Sequence, residues 1–161
     1  MSSVRLTGGC QCGAVRYALL KQPERPAVCH CRMCQKAMGN VFGTFAGVEL
    51  EHFELNRGMF SVFRSSDEGE RLFCNQCGTP LAWRSPDGRW VSVTIGSLDE
   101  PERVPPVHHY GEEGRISWAA AAIAHQATVS GTGQLPSHSD HIRRTNRQHP
   151  DHDTAEWPPR N

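Results

Sequence analysis

The sequence predicts a mainly β fold, a single domain of short antiparallel strands, and three observations carry that prediction. From Val41 onward, the runs VFGTFAGVEL, HFEL and MFSVF are rich in aromatic and branched residues and are broken by Gly47, Asn56 and Gly58. Strands separated by turns have this composition. Residues 81–84 and 89–95 flank Pro86-Asp87-Gly88, a turn sequence that makes them a hairpin. Seven cysteines, at 10, 12, 29, 31, 34, 74 and 77, fall in tight clusters and read as ties between loops. An odd number would strand one thiol in a disulfide framework. At 161 residues the chain has the length of one domain with one real core.

The elements follow in order. Gly8-Gly9-Cys10-Gln11-Cys12-Gly13 is a loop in which glycine permits tight turns, and residues 14–20 (AVRYALL) leave it as a strand. Pro23 and Pro26 mark a connection, and residues 34–38 make a helical turn that Gly39-Asn40 ends. Arg71-Leu72-Phe73 runs as a strand into Cys74-Asn75-Gln76-Cys77-Gly78, a CxxC knuckle followed by glycine. In the hairpin's second arm Trp90, Ser92 and Thr94 alternate with Val91, Val93 and Ile95, which gives it one clean aliphatic face. Residues 96–106 are irregular, leading to Val107-His108-His109-Tyr110, and a short strand near 115–118 closes the domain. The domain is thus expected over 1–124. Residues 125–161 hold only Val129, Leu135, Ile142 and Trp157 as large apolar groups, beside five of the nine histidines. So little apolar surface cannot offset chain ordering, and a flexible, loosely attached tail is expected there.

The cysteine spacing carries the chemistry. Cys29, Cys31 and Cys34 lie within six residues, a density typical of metal-bound thiolates, with zinc the usual guest. A disulfide between neighbours that close would be strained. Extended backbone points Cys29 and Cys31 one way and His30 the other. Three ligands leave a tetrahedral zinc one position short, the arrangement of catalytic sites, whereas four close a structural site. Seven sulfurs therefore divide into four and three, for two zinc ions per chain. Spacing alone leaves two partitions open: Cys74 and Cys77 join either Cys10 and Cys12 or Cys31 and Cys34.

The segments GGCQCGAVRY, CHCRMCQKAMG, RLFCNQCGTPL and GSLDEP, with Trp118 beyond them, resemble the glutathione-dependent formaldehyde-activating enzyme family, which includes centromere protein V. The resemblance runs from about residue 6 to 118 and takes in all seven cysteines. It implies a β-tent-like fold around a structural zinc on Cys10, Cys12, Cys74 and Cys77, with a catalytic zinc on Cys29, Cys31 and Cys34. It also implies a carbon–sulfur lyase acting on thiol–aldehyde adducts, with glutathione and formaldehyde as the prototype partners. Met38 and the chain beyond Trp118 depart from the family pattern.

Other residues take plainer expectations. Arg32 and Lys36 flank the open site and are candidates to receive substrate carboxylates, with Arg64 and Arg71 weaker ones. His108 and His109 read as strand-end packing, and Trp83, Trp90 and Trp118 as core or as a cleft wall. Seventeen basic residues balance seventeen acidic ones, which argues against a nucleic-acid or membrane partner. Residues 1–10 show no basic start followed by an apolar run, and the thiols suit a reducing compartment, so a cytoplasmic protein is expected. The alternative to an enzyme is a zinc-stabilised interaction module without turnover. A thiol or zinc sensor is a third reading, since three clustered cysteines are open to oxidation.

Overall fold

The computed structural model describes residues 4–124 and 136–156. Its shorter sheet has three antiparallel strands in the order β1 (Leu6–Gly9), β2 (Arg16–Leu19) and β5 (Phe53–Arg57). The longer sheet has seven. From one edge they are β10 (His108–Tyr110), β3 (Ala27–Cys29), β4 (Gly43–Glu49), β9 (Trp90–Thr94), β8 (Pro80–Arg84), β7 (Gly69–Phe73) and β6 (Ser61–Ser66). Helices α1 (Arg32–Met38), α2 (Ala119–Ala124) and α3 (Pro136–Thr145) are short. The mainly β expectation holds. Among the described residues no helix is long and apolar enough to cross a membrane.

The core lies between the sheets. Alternation along β9 buries Val91 and Val93, β4 adds Ala46 and Val48, and Leu72 and Leu81 come from β7 and β8. From the short sheet, Tyr17 is fully buried against Phe53, with ring centroids 5.6 Å apart. Its hydroxyl meets Ser97 Oγ at 2.7 Å, satisfying the one polar atom it carries inward.

One element differs from expectation. No strand forms at 115–118; the closing strand is β10, and it pairs parallel to β3 with Tyr110 opposite Cys29. The His30 amide donates to the Tyr110 carbonyl at 2.8 Å, and a 3-10 turn follows at Glu112–Gly114. Two histidines and a tyrosine lack the apolar alternation that marks a strand, so only the long-range pairing identifies it. Trp118, expected in the core or a cleft wall, is exposed.

Residues 148–154 touch the β domain. The His149 amide donates to the Gln11 carbonyl at 2.7 Å, and His149 itself is buried. Arg16, also buried, pairs with Asp99 and lies 2.9 Å from Asp153; Arg57 donates to the Thr154 carbonyl. These contacts are polar, so a count of apolar residues does not register them. Of the rest of the expected loose segment, residues 136–145 form α3, and residues 125–135 and 157–161 lie outside the described residues.

Burial holds the His149 imidazole below its ordinary range, with Arg16 and Arg57 adding to the effect. Undocked, the ring takes its proton near the usual pKa of about 6.5. Docking is therefore complete above that pH and is lost as the pH falls toward the depressed, docked value. Amide protection at residues 148–154, taken relative to the intrinsic exchange rate at each pH, should fall between pH 7 and 5, and His149→Gln should flatten that fall; protection independent of pH in the unsubstituted chain would contradict it.

Candidate metal centres

The four-cysteine cluster joins the loop after β1 to the loop after β7. Sγ of Cys10, Cys12, Cys74 and Cys77 all lie within 4.8 Å of one another, with Cys10 to Cys12 at 3.6 Å and Cys12 to Cys74 at 3.9 Å. A zinc–sulfur tetrahedron with bonds of 2.3 Å has sulfur–sulfur edges of about 3.8 Å, so this donor set fits a four-coordinate zinc. Backbone N–H groups already point at the sulfurs, Val15 to Cys10 at 3.2 Å and Gln76 to Cys74 at 3.4 Å. Such donors stabilise thiolate. Gly78 closes the knuckle at φ 76°, where a side chain would be strained, and its amide donates to the Cys74 carbonyl at 2.9 Å.

Cys29, Cys31 and Cys34 form the second cluster, their sulfurs also within 4.8 Å of one another. Cys29 ends β3, Cys31 is the N-cap of α1, and Cys34 lies one turn into it. The Cys34 amide donates to Cys31 Sγ at 3.4 Å, and Cys29 and Cys31 Sγ are 3.4 Å apart. His30 turns away, as alternation requires. It is buried, stacks on His109 with centroids 5.4 Å apart, and its Nε2 lies 3.1 Å from His109 Nδ1. His108 and His109 sit in β10, outside both clusters.

Each cluster mixes acidified and protonated thiols. Burial pushes Cys12 and Cys29 up to about 12. At Cys77 burial is outweighed by donors from Thr79 and Cys12, which bring it down to about 6. At Cys31 burial is outweighed by the Cys34 amide, the neighbouring thiols and Arg71, which hold it below the ordinary thiol range. A divalent cation held by these sulfurs would displace the remaining protons and remove the mismatch.

A cavity of about 370 Å³ opens beside Cys29 and Cys34. Strand register builds its floor: Arg71 pairs with Trp83, Trp83 with Ser92, and Ser92 with Gly47, side by side across β7, β8, β9 and β4. This is the sheet face opposite the core, so the strands that bury Val91 and Val93 inward carry Trp90 and Ser92 to the cavity. Arg71 is buried, and its guanidinium donates to Cys34 Sγ at 3.4 Å. Arg32 and Lys36 are exposed on α1 and line an adjoining groove, with Met33 and Phe63, that shares only Arg71 with the cavity. Arg64 pairs with Asp67 at the surface. Arg25, Phe45 and Tyr110 line the cavity and were missed in the sequence. Only the register of distant strands places them there, though Arg71, alternating with buried Leu72 just before the CxxC, carried a legible signal.

Residues 5–113 match the glutathione-dependent formaldehyde-activating enzyme family, and the chain belongs to that family. A Schizosaccharomyces pombe protein named an uncharacterized lyase is 27% identical over 82 residues, a match spanning 51% of this chain and 59% of that protein. A Halomonas elongata protein, provisionally named a glutathione-dependent formaldehyde-activating enzyme, is 29% identical over 127 residues, spanning 70% of this chain and 78% of its own length. A crystal structure of a Rhodobacter sphaeroides protein overlays 64% of this chain and 98% of its own at 20% identity, with a TM-score of 0.49.

The two clusters should differ sharply on substitution. Cys10 and Cys77 stand in loops of different sheets, and a structural zinc is worth roughly 10 to 16 kcal/mol, as much as a whole domain's stability. Cys77→Ser should therefore give unfolded or insoluble protein. Cys31→Ser, in a cluster that closes only a short loop, should fold and keep one zinc. Melting curves beside metal stoichiometry decide between these outcomes, and the reverse pattern would exchange the two assignments.

Proposed function

We propose that the chain is a zinc-dependent carbon–sulfur lyase that cleaves and forms thiol–aldehyde adducts, with the adduct of glutathione and formaldehyde as the family's prototype. The metal-binding β domain of residues 1–124 carries this activity. One observation supports the reading above the others: the three sulfurs of Cys29, Cys31 and Cys34 gather at the wall of a cavity large enough for a small molecule. Cys10, Cys12, Cys74 and Cys77 hold a structural zinc in this reading. A zinc ion on the three-cysteine centre would offer its fourth position to a thiol sulfur and lower that thiol's pKa.

The reaction balances without a further reagent. In the lyase direction the adduct's hydroxyl loses its proton as the carbon–oxygen double bond forms. The carbon–sulfur bond breaks, and its electron pair stays on sulfur, which leaves as thiolate. Sulfur then takes up a proton, giving free thiol and aldehyde; the reverse sequence makes the adduct. The chain's own contribution is to place the sulfur and shield it. Arg71, donating to Cys34 Sγ, brings positive charge to the atoms where negative charge collects. The largely carbon walls exclude water from the reacting sulfur.

The test follows thiol release from S-hydroxymethyl adducts by purified, zinc-loaded protein. The unsubstituted chain should turn over, and Cys31→Ser should fold but lose at least roughly a hundredfold in kcat/KM. Folded, two-zinc protein that cleaves no adduct would leave the interaction-module reading in its place.

A further inference from the structure

The cavity beside the three-cysteine centre has a composition of its own. Its walls are four aromatic rings, Phe45, Trp83, Trp90 and Tyr110. Two of them are seated on glycine. A Cβ on Gly47 would lie 2.6 Å from Trp90 Nε1, and one on Gly69 would lie 2.1 Å from Trp83 Nε1. The indoles therefore approach bare backbone where any side chain would collide with them, and Ser92 Oγ fixes Trp90 further by accepting from its Nε1 at 3.0 Å. Rigid flat walls of this kind present faces for stacking.

The charge on the lining has one sign. Among the described residues Arg25 and Arg71 line the cavity, and no carboxylate does. Most arginines of the described residues sit in ion pairs, as Arg5 with Glu54 and Arg84 with Glu70. Neither Arg25 nor Arg71 has a carboxylate partner among the described residues. Arg71 is 91% buried, yet among the described residues its guanidinium donates only to Cys34 Sγ and its Nε has no acceptor; its Cζ lies 5.9 Å from the Phe45 ring centroid. A buried N–H donor without an acceptor is costly, and an incoming carboxylate supplies the acceptors that the Cys34 sulfur does not.

We propose that this cavity takes a thiol, free or as its aldehyde adduct, that carries an aromatic ring and a carboxylate and no ammonium group. The ring lies between Trp83 and Trp90, and the carboxylate meets Arg71, with Arg25 at the mouth. Glutathione fits this lining less well, because its ammonium would face two guanidiniums and carbon walls with no anion to receive it. The inference rests on the three-cysteine centre accepting a thiol sulfur, as the lyase reading requires.

The zinc-loaded full chain is titrated calorimetrically with three probes: 4-(mercaptomethyl)benzoate, phenylmethanethiol and glutathione. The benzoate thiol should bind about tenfold or more tightly than glutathione, the scale of a stacking contact joined to a charged hydrogen bond. Arg71→Gln should weaken the benzoate thiol about tenfold more than it weakens phenylmethanethiol, whose sulfur shares the centre but which has no carboxylate to lose. Arg25→Gln, at an exposed position whose replacement leaves the core alone, should weaken it in the same direction by less, and serves if the Arg71 variant does not fold. Glutathione binding as tightly as the benzoate thiol, or a carboxylate preference that survives both substitutions, overturns the proposal. Turnover separates it from the lyase reading. Preferred binding of the ring-bearing thiol without cleavage of its formaldehyde adduct leaves this assignment standing and removes the lyase. Cleavage of the glutathione adduct with glutathione preferred does the reverse.

Discussion

The constraint on which the rest of the structure depends is the meeting of two loops at one point, Cys10 and Cys12 after β1 with Cys74 and Cys77 after β7. The first loop belongs to the three-stranded sheet and the second to the seven-stranded one. Sulfurs 62 residues apart in sequence come to 3.9 Å, a closure whose chain entropy is paid once and shared by every strand between. With that point fixed, the two sheets face each other across Tyr17, Val91 and Val93. The backbone around the knuckles is arranged for sulfur too, since the Val15 and Gln76 amides donate to sulfur rather than to carbonyls.

The same sheet then serves two purposes through its two faces. Period-two alternation sends Val91, Val93 and Leu72 to the core, and Trp90, Ser92 and Arg71 to the other side. That second face would be an exposed apolar patch were α1 and the Cys29–Cys34 segment not folded beside it. The three-cysteine cluster thus sits where a rigid sheet supplies the walls and a short local segment supplies the ligands. Precision comes from the sheet, and access comes from the segment's position at its edge.

Much of this was legible in the residues. Cysteine spacing predicted two clusters, and the structure brings together the sets that family resemblance implied, where spacing alone left two partitions open. The hairpin around Pro86-Asp87-Gly88 and the aliphatic face of β9 followed from local rules, and both stand in the structure. What local rules did not reach was register. His108 and His109 read as strand-end packing, but no local pattern in His108-His109-Tyr110 gives a partner or a register, and it is the parallel pairing with β3 that places Tyr110 at the cavity. Arg32 and Lys36 were weighed for substrate because they are near Cys34 in sequence. Helix geometry carries them to another groove, while Arg71, 37 residues from Cys34, touches its sulfur. The docking of His149 and Asp153 escaped for a different reason: it is held by hydrogen bonds and charge, to which apolar composition is blind.

Arg71 also bears on why three cysteines suffice at the second centre. Four thiolates on a divalent cation leave a net charge of about minus two, and three leave about minus one, before any substrate binds. At the four-cysteine centre backbone amides and the Thr79 hydroxyl face that charge. At the three-cysteine centre the Cys34 amide is joined by a buried guanidinium on the next sheet strand to approach it. In the lyase reading a full positive charge there would make the site tolerant of one more anion, because a thiolate added to a zinc on these sulfurs would raise the negative charge from near zero rather than from minus one. A site closed by four sulfurs would have no such need. The difference between the centres therefore lies in what faces the sulfurs as well as in their number, and a strand residue recruited by β7 register supplies it.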